Sequence, residues 1–238
     1  MYRIVILLVF ILTIFCGSFI NGINPGCSES ISLNIYTQDT LQIHQFIYRG
    51  VLWKNKYRRI QGDQFLFSDF FLPGTVTISG KTFKNLRIKY DILSDELITP
   101  LNHEIIIQLN KEMVDSFTII FENKTFKFNN IRGNTLKGFK GYANILYNGR
   151  SSLFVNYKKN IRPAFTEHYD GEFYQTKQIY IIKDSIFYHL DGLNDLFKVL
   201  NADKVQMKNF VSKNKLKVSK KIPESFLPVI RYYDSFSQ

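Results

Sequence analysis

Residues 141–159 read GYANILYNGRSSLFVNYKK. Two runs rich in Tyr, Ile, Leu, Phe and Val flank Asn148-Gly149, the dipeptide that most readily supplies the two positive-φ positions of a type I′ turn. The stretch predicts a β-hairpin. The same succession of apolar run, short polar turn and aromatic-led return recurs with turn centres near positions 55, 80, 123 and 184. That spacing is irregular, so a meander is expected and not a strict repeat.

Working outward, Val51-Leu52-Trp53 leads through Asn55 to Tyr57 as a first hairpin, and the aromatic run Gln64 to Leu72 ends at a turn on Pro73-Gly74. Val76 and Ile78 alternate up to Ser79-Gly80, and Phe83, Leu86, Ile88 and Tyr90 carry the chain back. Asp95-Glu96 reads as a turn before Leu97-Ile98, and Glu104 to Leu109, EIIIQL, suits a central strand. Ser116 to Phe121 and Thr125 to Phe128 bracket Glu122-Asn123-Lys124, and Asn129 to Lys137 looks like an open loop. Asn160 to Thr176 is polar, holds Pro163 and Gly171, and reads as a long connection covering one end of the domain. The last hairpin turns at Lys183-Asp184-Ser185. Far upstream, Ile31, Leu33 and Ile35 alternate as a short strand.

At Asp191 the period changes. Leu193, Leu196, Phe197 and Leu200 recur at three and four, a helix face. Asp203 is placed to N-cap a second helix through Val205, Phe210 and Val211, and Pro223 opens a third that Pro228 should kink or shorten. Such short helices need a surface to pack on. The expected fold is mainly β, an antiparallel β-meander closed as a barrel or sandwich over residues 23–190, with a C-terminal cap of three short helices over 191–238.

The N-terminus carries an export signal. Arg3 precedes the apolar run Ile4 to Phe15, and Cys16-Gly17-Ser18 supplies the small residues of a cleavage site, so residues 1–22 read as a secretory signal peptide. An uncleaved anchor is the alternative, since Ile4 to Ile20 is at the short edge of a bilayer span. Phe15 before Cys16 argues against lipid attachment there. With the signal removed only Cys27 remains, so no intrachain disulfide can form and the fold must rest on its core.

At 45% apolar and 16% aromatic, the 238-residue chain can build such a core. The formal net charge is +11, but residues 1–130 contribute only +2 and residues 131–238 contribute +9. The basic side chains are densest at Lys213, Lys215, Lys217, Lys220 and Lys221. A cluster of this kind is ordinarily a solvated face; as a site it implies an anionic partner. Export argues against nucleic acid and leaves anionic lipid, a glycan or an envelope protein. Tyr147, Arg150 and Tyr157 on the organising hairpin add an aromatic and basic mixture suited to sugars or headgroups, although strand alternation must turn at least half of the neighbouring rings inward.

Signals for chemistry are sparse. Gly74 and Gly80-Lys81-Thr82 miss the P-loop spacing by one residue, and a strand pattern follows where a helix is needed. The four histidines form no HExxH or Cys/His cluster, so no metal or other cofactor is expected. His103 with Asp95 and Glu96 is the one place where a histidine and carboxylates could converge for acid–base work, the basis of an alternative reading as a periplasmic hydrolase. Asn123-Lys124-Thr125 matches a glycosylation acceptor on a turn.

In their order, WKNKY (Trp53 to Tyr57), YDILSDELI (Tyr90 to Ile98), ILYNGRSSL (Ile145 to Leu153), YIIKDSIFYHL (Tyr180 to Leu190), NKLK (Asn214 to Lys217) and RYYDSF (Arg231 to Phe236) resemble a family of uncharacterised exported proteins of Gram-negative bacteria. The likeness covers most of residues 48–238. It implies export as a single module in the periplasm or at the outer-membrane periphery, and it implies no catalytic residues. The sequence therefore points to a non-enzymatic envelope protein, binding or structural, whose basic C-terminal half contacts an anionic surface, a glycan or a protein.

Overall fold

A computed structural model of the protein describes residues 49–132, 139–164 and 166–236. The signal segment, both cysteines and the strand expected at Ile31 to Ile35 lie outside the described residues.

Twelve strands form one sheet: β1 (Val51–Leu52), β2 (Ile60–Gln61), β3 (Leu72–Ile78), β4 (Lys81–Asp91), β5 (Glu96–Pro100), β6 (Ile106–Gln108), β7 (Val114–Phe121), β8 (Lys124–Ile131), β9 (Gly141–Tyr147), β10 (Ser152–Pro163), β11 (Gly171–Lys183) and β12 (Ile186–Leu190). The order across the sheet is β1-β6-β5-β4-β3-β7-β8-β9-β10-β11-β12, and β2 adds a short parallel pairing at the start of β11. All other pairings are antiparallel. Three helices follow, α1 (Leu193–Leu200), α2 (Lys204–Lys213) and α3 (Leu227–Phe236), the last entered through a 3-10 turn at Pro223–Phe226.

The expected mainly β fold with three short C-terminal helices is what forms, but closure is not. The ladder path has two ends, β1 and β12, which do not pair, so the sheet is not closed as a barrel. It curls far enough for the Lys159 amide to donate to the Ile92 carbonyl at 3.1 Å, a single bond and not a ladder. The Lys159 ammonium then clamps the 63–65 segment, reaching Asp63 Oδ1 at 2.9 Å and the Phe65 carbonyl at 2.7 Å.

The strand alternation that the sequence shows fills this curl. Val76, Ile78, Ile88, Tyr90, Val114, Phe117, Ile119, Phe128 and Tyr142 are buried together. Phe117 and Phe128 stack at 4.6 Å, with Tyr90 and Tyr142 edge-on to Phe117 at 5.2 and 5.0 Å. Each such ring contributes about 1.5–3 kcal/mol by leaving water. On β10–β12, Leu153, Ile179, Ile181 and Leu190 face the helices and meet Leu196, Phe197, Leu200, Met207, Phe226, Val229 and Ile230. The helices thus cover this face of β10–β12. Phe154, Tyr180 and Phe187 point to the other face and pack with Phe139.

Three hairpins use two-residue turns with both φ positive: Ser79-Gly80 (49° and 81°), Glu122-Asn123 (48° and 60°) and Asp184-Ser185 (51° and 63°). That is the type I′ signature, whose twist matches the flanking strands. Asn148-Gly149, the best type I′ dipeptide in the chain, does not form one. The β9–β10 hairpin exists, but Tyr147 pairs with Leu153 across a five-residue connection. The Ser152 hydroxyl donates to Asn148 Oδ1 and to the Gly149 carbonyl. Gly149 is required for another reason: the Tyr147 hydroxyl occupies the space a β-carbon would need.

Other expectations are corrected. Around Asn55 no hairpin forms, because β1 pairs with β6 instead. Pro73-Gly74 is no turn but part of β3; Pro73 pairs only with β4, as the β7 ladder begins at Gly74, so its missing N–H costs no ladder bond on that side. EIIIQL supplies only the three-residue β6, next to the edge and not central. The polar stretch 160–176 lies largely within the longest ladder, β10 against β11, twelve residue pairs from Ser152↔Ile182 to Pro163↔Gly171. Its outer half is polar because it is exposed. Pro228 falls in the first turn of α3 and breaks nothing. Asp203 does cap α2, accepting from Val205 N and Gln206 N, but Met207, not Val205, is the buried residue.

Candidate functional site

The basic cluster is shaped by the segment that leaves α2. Asn214 ends the helix, Lys215 takes a positive φ of 51°, and the chain continues extended. Leu216 and Val218 turn inward onto the helix-covered core, so alternation turns Lys215 and Lys217 outward. Together with α1 and α2 they line a groove of about 410 Å3 formed by Leu193, Asn194, Phe197, Lys208, Val211, Ser212, Lys215, Leu216 and Lys217. The floor is apolar, from Leu193, Phe197, Val211 and Leu216. Lys208, Lys215 and Lys217 belong to its lining.

Among the described residues no carboxylate pairs with Lys208, Lys213, Lys215 or Lys217. The other two members of the cluster differ. Lys220 pairs with Asp191 at 3.0 Å, and its hydrogen bond holds the Asp191 carboxyl below the usual range. Lys221 gives its carbonyl to the Lys177 ammonium. Both line a smaller neighbouring recess with Thr176, Lys177 and His189. Lys213 is exposed in the last turn of α2. Of the five lysines, Lys215 and Lys217 line the groove, Lys220 and Lys221 line the recess and Lys213 lines neither, while Lys208, outside the densest run of lysines, joins the groove. Its signal was present: Lys208, Val211 and Ser212 recur at three and four along α2, just before Lys215.

Tyr147, Arg150 and Tyr157 do not form a surface. Tyr147 packs on the helix-covered core, and its hydroxyl donates to Asp234 Oδ2 at 3.1 Å. Tyr157 packs on the first core against Phe67, and burial pushes its hydroxyl up to about 12. Only Arg150 is exposed.

Nor do His103, Asp95 and Glu96 converge. Asp95 ends the β4–β5 turn with φ 58° and is bound by the Tyr90 hydroxyl at 2.6 Å, the Lys111 ammonium and the Tyr142 amide. Glu96, next in the chain, starts β5 and lines a different cleft from the one Asp95 lines. His103 is exposed beyond the far end of β5, a strand whose five residues span about 13 Å. The hydrolase arrangement is not assembled.

Glu96's cleft has chemistry the sequence did not disclose. It holds about 240 Å3 and is lined by Val51, Leu52, Trp53, Lys54, Lys56, Tyr57, Gln64, Asp91, Ser94, Glu96 and Gln108. Burial, then the neighbouring Asp91, pushes the Glu96 carboxyl up; burial raises Asp91 against the opposing amides of Ser94 and Leu93.

Among the described residues no three His, Cys, Asp or Glu gather as a metal centre, and no helix is long and apolar enough to cross a membrane. No protein-family model, curated protein or solved structure matches the chain.

Proposed function

We propose that the protein is exported to the cell envelope and is a non-enzymatic module that binds an anionic lipid surface through the groove between α1, α2 and residues 215–217. The observation that carries the reading is the set of Lys208, Lys215 and Lys217, none paired with a carboxylate, around an apolar floor. A basic side chain near an anionic membrane surface contributes about 1 kcal/mol. The floor offers a place for apolar parts of a lipid that water would otherwise surround. The net charge of +9 in residues 131–238 adds long-range attraction to the same kind of partner. Export rests on Arg3, the apolar run from Ile4 and the small residues at 16–18, with the periplasm or outer-membrane periphery as the destination.

Vesicles of phosphatidylglycerol and of phosphatidylcholine test the lipid reading. The protein should sediment with the former and not the latter, and binding should weaken steadily as salt is raised. Absence of binding to anionic vesicles at low salt would remove it. Cell fractionation and N-terminal sequencing test export.

A further inference from the structure

The cleft at the β1 edge is built from groups that ask for a ligand. Gln64 is only 2% exposed, lines the cleft and leaves its Nε2 without a hydrogen-bond partner. A buried amide donor left unpaired is costly, and most such groups in folded proteins have a partner. Beside it stand two acceptors. Asp91 and Glu96 are directly paired across the β4–β5 ladder, which puts both side chains on one face of the sheet with β-carbons about 5 Å apart. Asp91 is also only 2% exposed, its Oδ1 held by the Leu93 and Ser94 amides at 2.9 and 3.0 Å. Half-buried Trp53 and Tyr57 add aromatic surface.

We propose that this cleft binds one neutral sugar ring. A hydroxyl can accept from Gln64 Nε2 while donating to Asp91 or Glu96, so a polyol satisfies both kinds of group together. An ammonium ligand would satisfy the carboxylates and leave Gln64 orphaned. A phosphate or carboxylate would satisfy Gln64 and could draw on Lys54 and Lys56, but it would stand against both Asp91 and Glu96. The aromatic rings suit the apolar C–H face of a pyranose, and 240 Å3 is below the roughly 300–1,000 Å3 of drug-sized sites, in keeping with a single ring. The inference is independent of the lysine groove and survives a failure of lipid binding.

Trp53 is the only tryptophan in the chain, so its fluorescence reports this cleft alone. The full-length mature protein is titrated with glucose, galactose, mannose and N-acetylglucosamine, and with ethanolamine, glycine and inorganic phosphate. The expected result is a saturable change in Trp53 emission with at least one sugar and with none of the other probes. Glu96→Gln should weaken that sugar's affinity roughly tenfold, as loss of a hydrogen bond to a charged group does. Gln64→Leu should do the same, and the half-buried Glu96 site keeps the test decisive if the buried substitution fails to fold. No response to any of the sugars, a response confined to ethanolamine, glycine or phosphate, or sugar affinity unchanged in Glu96→Gln would each overturn the proposal.

Discussion

Asp91 and Glu96 face each other across the β4–β5 ladder and line the same cleft. Burial pushes both carboxyls up, and the neighbouring Asp91 charge raises Glu96 further. Each pKa is therefore higher in the folded chain than in the unfolded one. The folded state holds these protons more readily, so stability from this pair is greatest at and below the ordinary carboxylate range, around pH 4. It falls as pH rises through the window up to the raised folded values and stays constant above it. Glu96→Gln should remove part of that fall: its stability relative to the wild type should grow as pH rises through the window. Urea titrations at a series of pH values measure this, and a pH-independent difference would contradict it.

Lys183 reaches from the end of β11 to the last turn of α1, its ammonium donating to the Val199 and Leu200 carbonyls, each at 3.0 Å. The Tyr233 hydroxyl caps Leu200 as well, at 2.8 Å. A cation at a helix C-terminus satisfies orphan carbonyls and opposes the dipole. Lys183→Met should cost about 1–2 kcal/mol, with amide exchange accelerating first in residues 193–200.

The Tyr147 hydroxyl and the Ser151 amide both donate to Asp234 Oδ2 at 3.1 Å, joining α3 to the β9–β10 connection. Tyr147→Phe should cost about 1 kcal/mol, and Asp234→Ala about 1–3 kcal/mol because it strands two donors. Gly149→Ala should also destabilise by about 1–3 kcal/mol, since its β-carbon would displace the Tyr147 ring. Denaturant midpoints rank the three.

Ser185 stands at φ 63° in a type I′ turn where glycine is unstrained. Ser185→Gly should raise stability by roughly 0.5 kcal/mol, the left-handed strain relieved exceeding the added unfolded-state freedom. A lower melting temperature would show that the turn is held by something other than its backbone preference.

What could be seen in the sequence was what local physics controls. Alternation in Val76, Ile78, Ile88 and Tyr90 marked strands, and the three-four spacing of Leu193, Leu196, Phe197 and Leu200 marked α1. What could not be seen was set by tertiary partners. Asn148-Gly149 has the strongest hairpin chemistry, yet Asp234 and the Tyr147 ring reshape its connection. Residues 160–176 look like a loop because alternation reports burial, and a ladder that extends past the core has little to report. Non-local pairing also hid the sites. Gln64 and Trp53 meet Glu96 only because the 64–66 segment bridges the end of β4 and β1 pairs with β6. The groove was half legible: Lys215 and Lys217 stood out by density, whereas Lys208 joins them only through the helix it rides on.

The central claim is that Lys208, Lys215 and Lys217 bring the protein to an anionic lipid surface, and the most direct measurement is the partition of Lys208→Glu/Lys215→Glu/Lys217→Glu onto phosphatidylglycerol vesicles beside the wild type. All three side chains are exposed, so the melting temperature should be unchanged while binding falls by about a hundredfold or more. Wild-type partition in the triple variant, with its fold intact, would contradict the account.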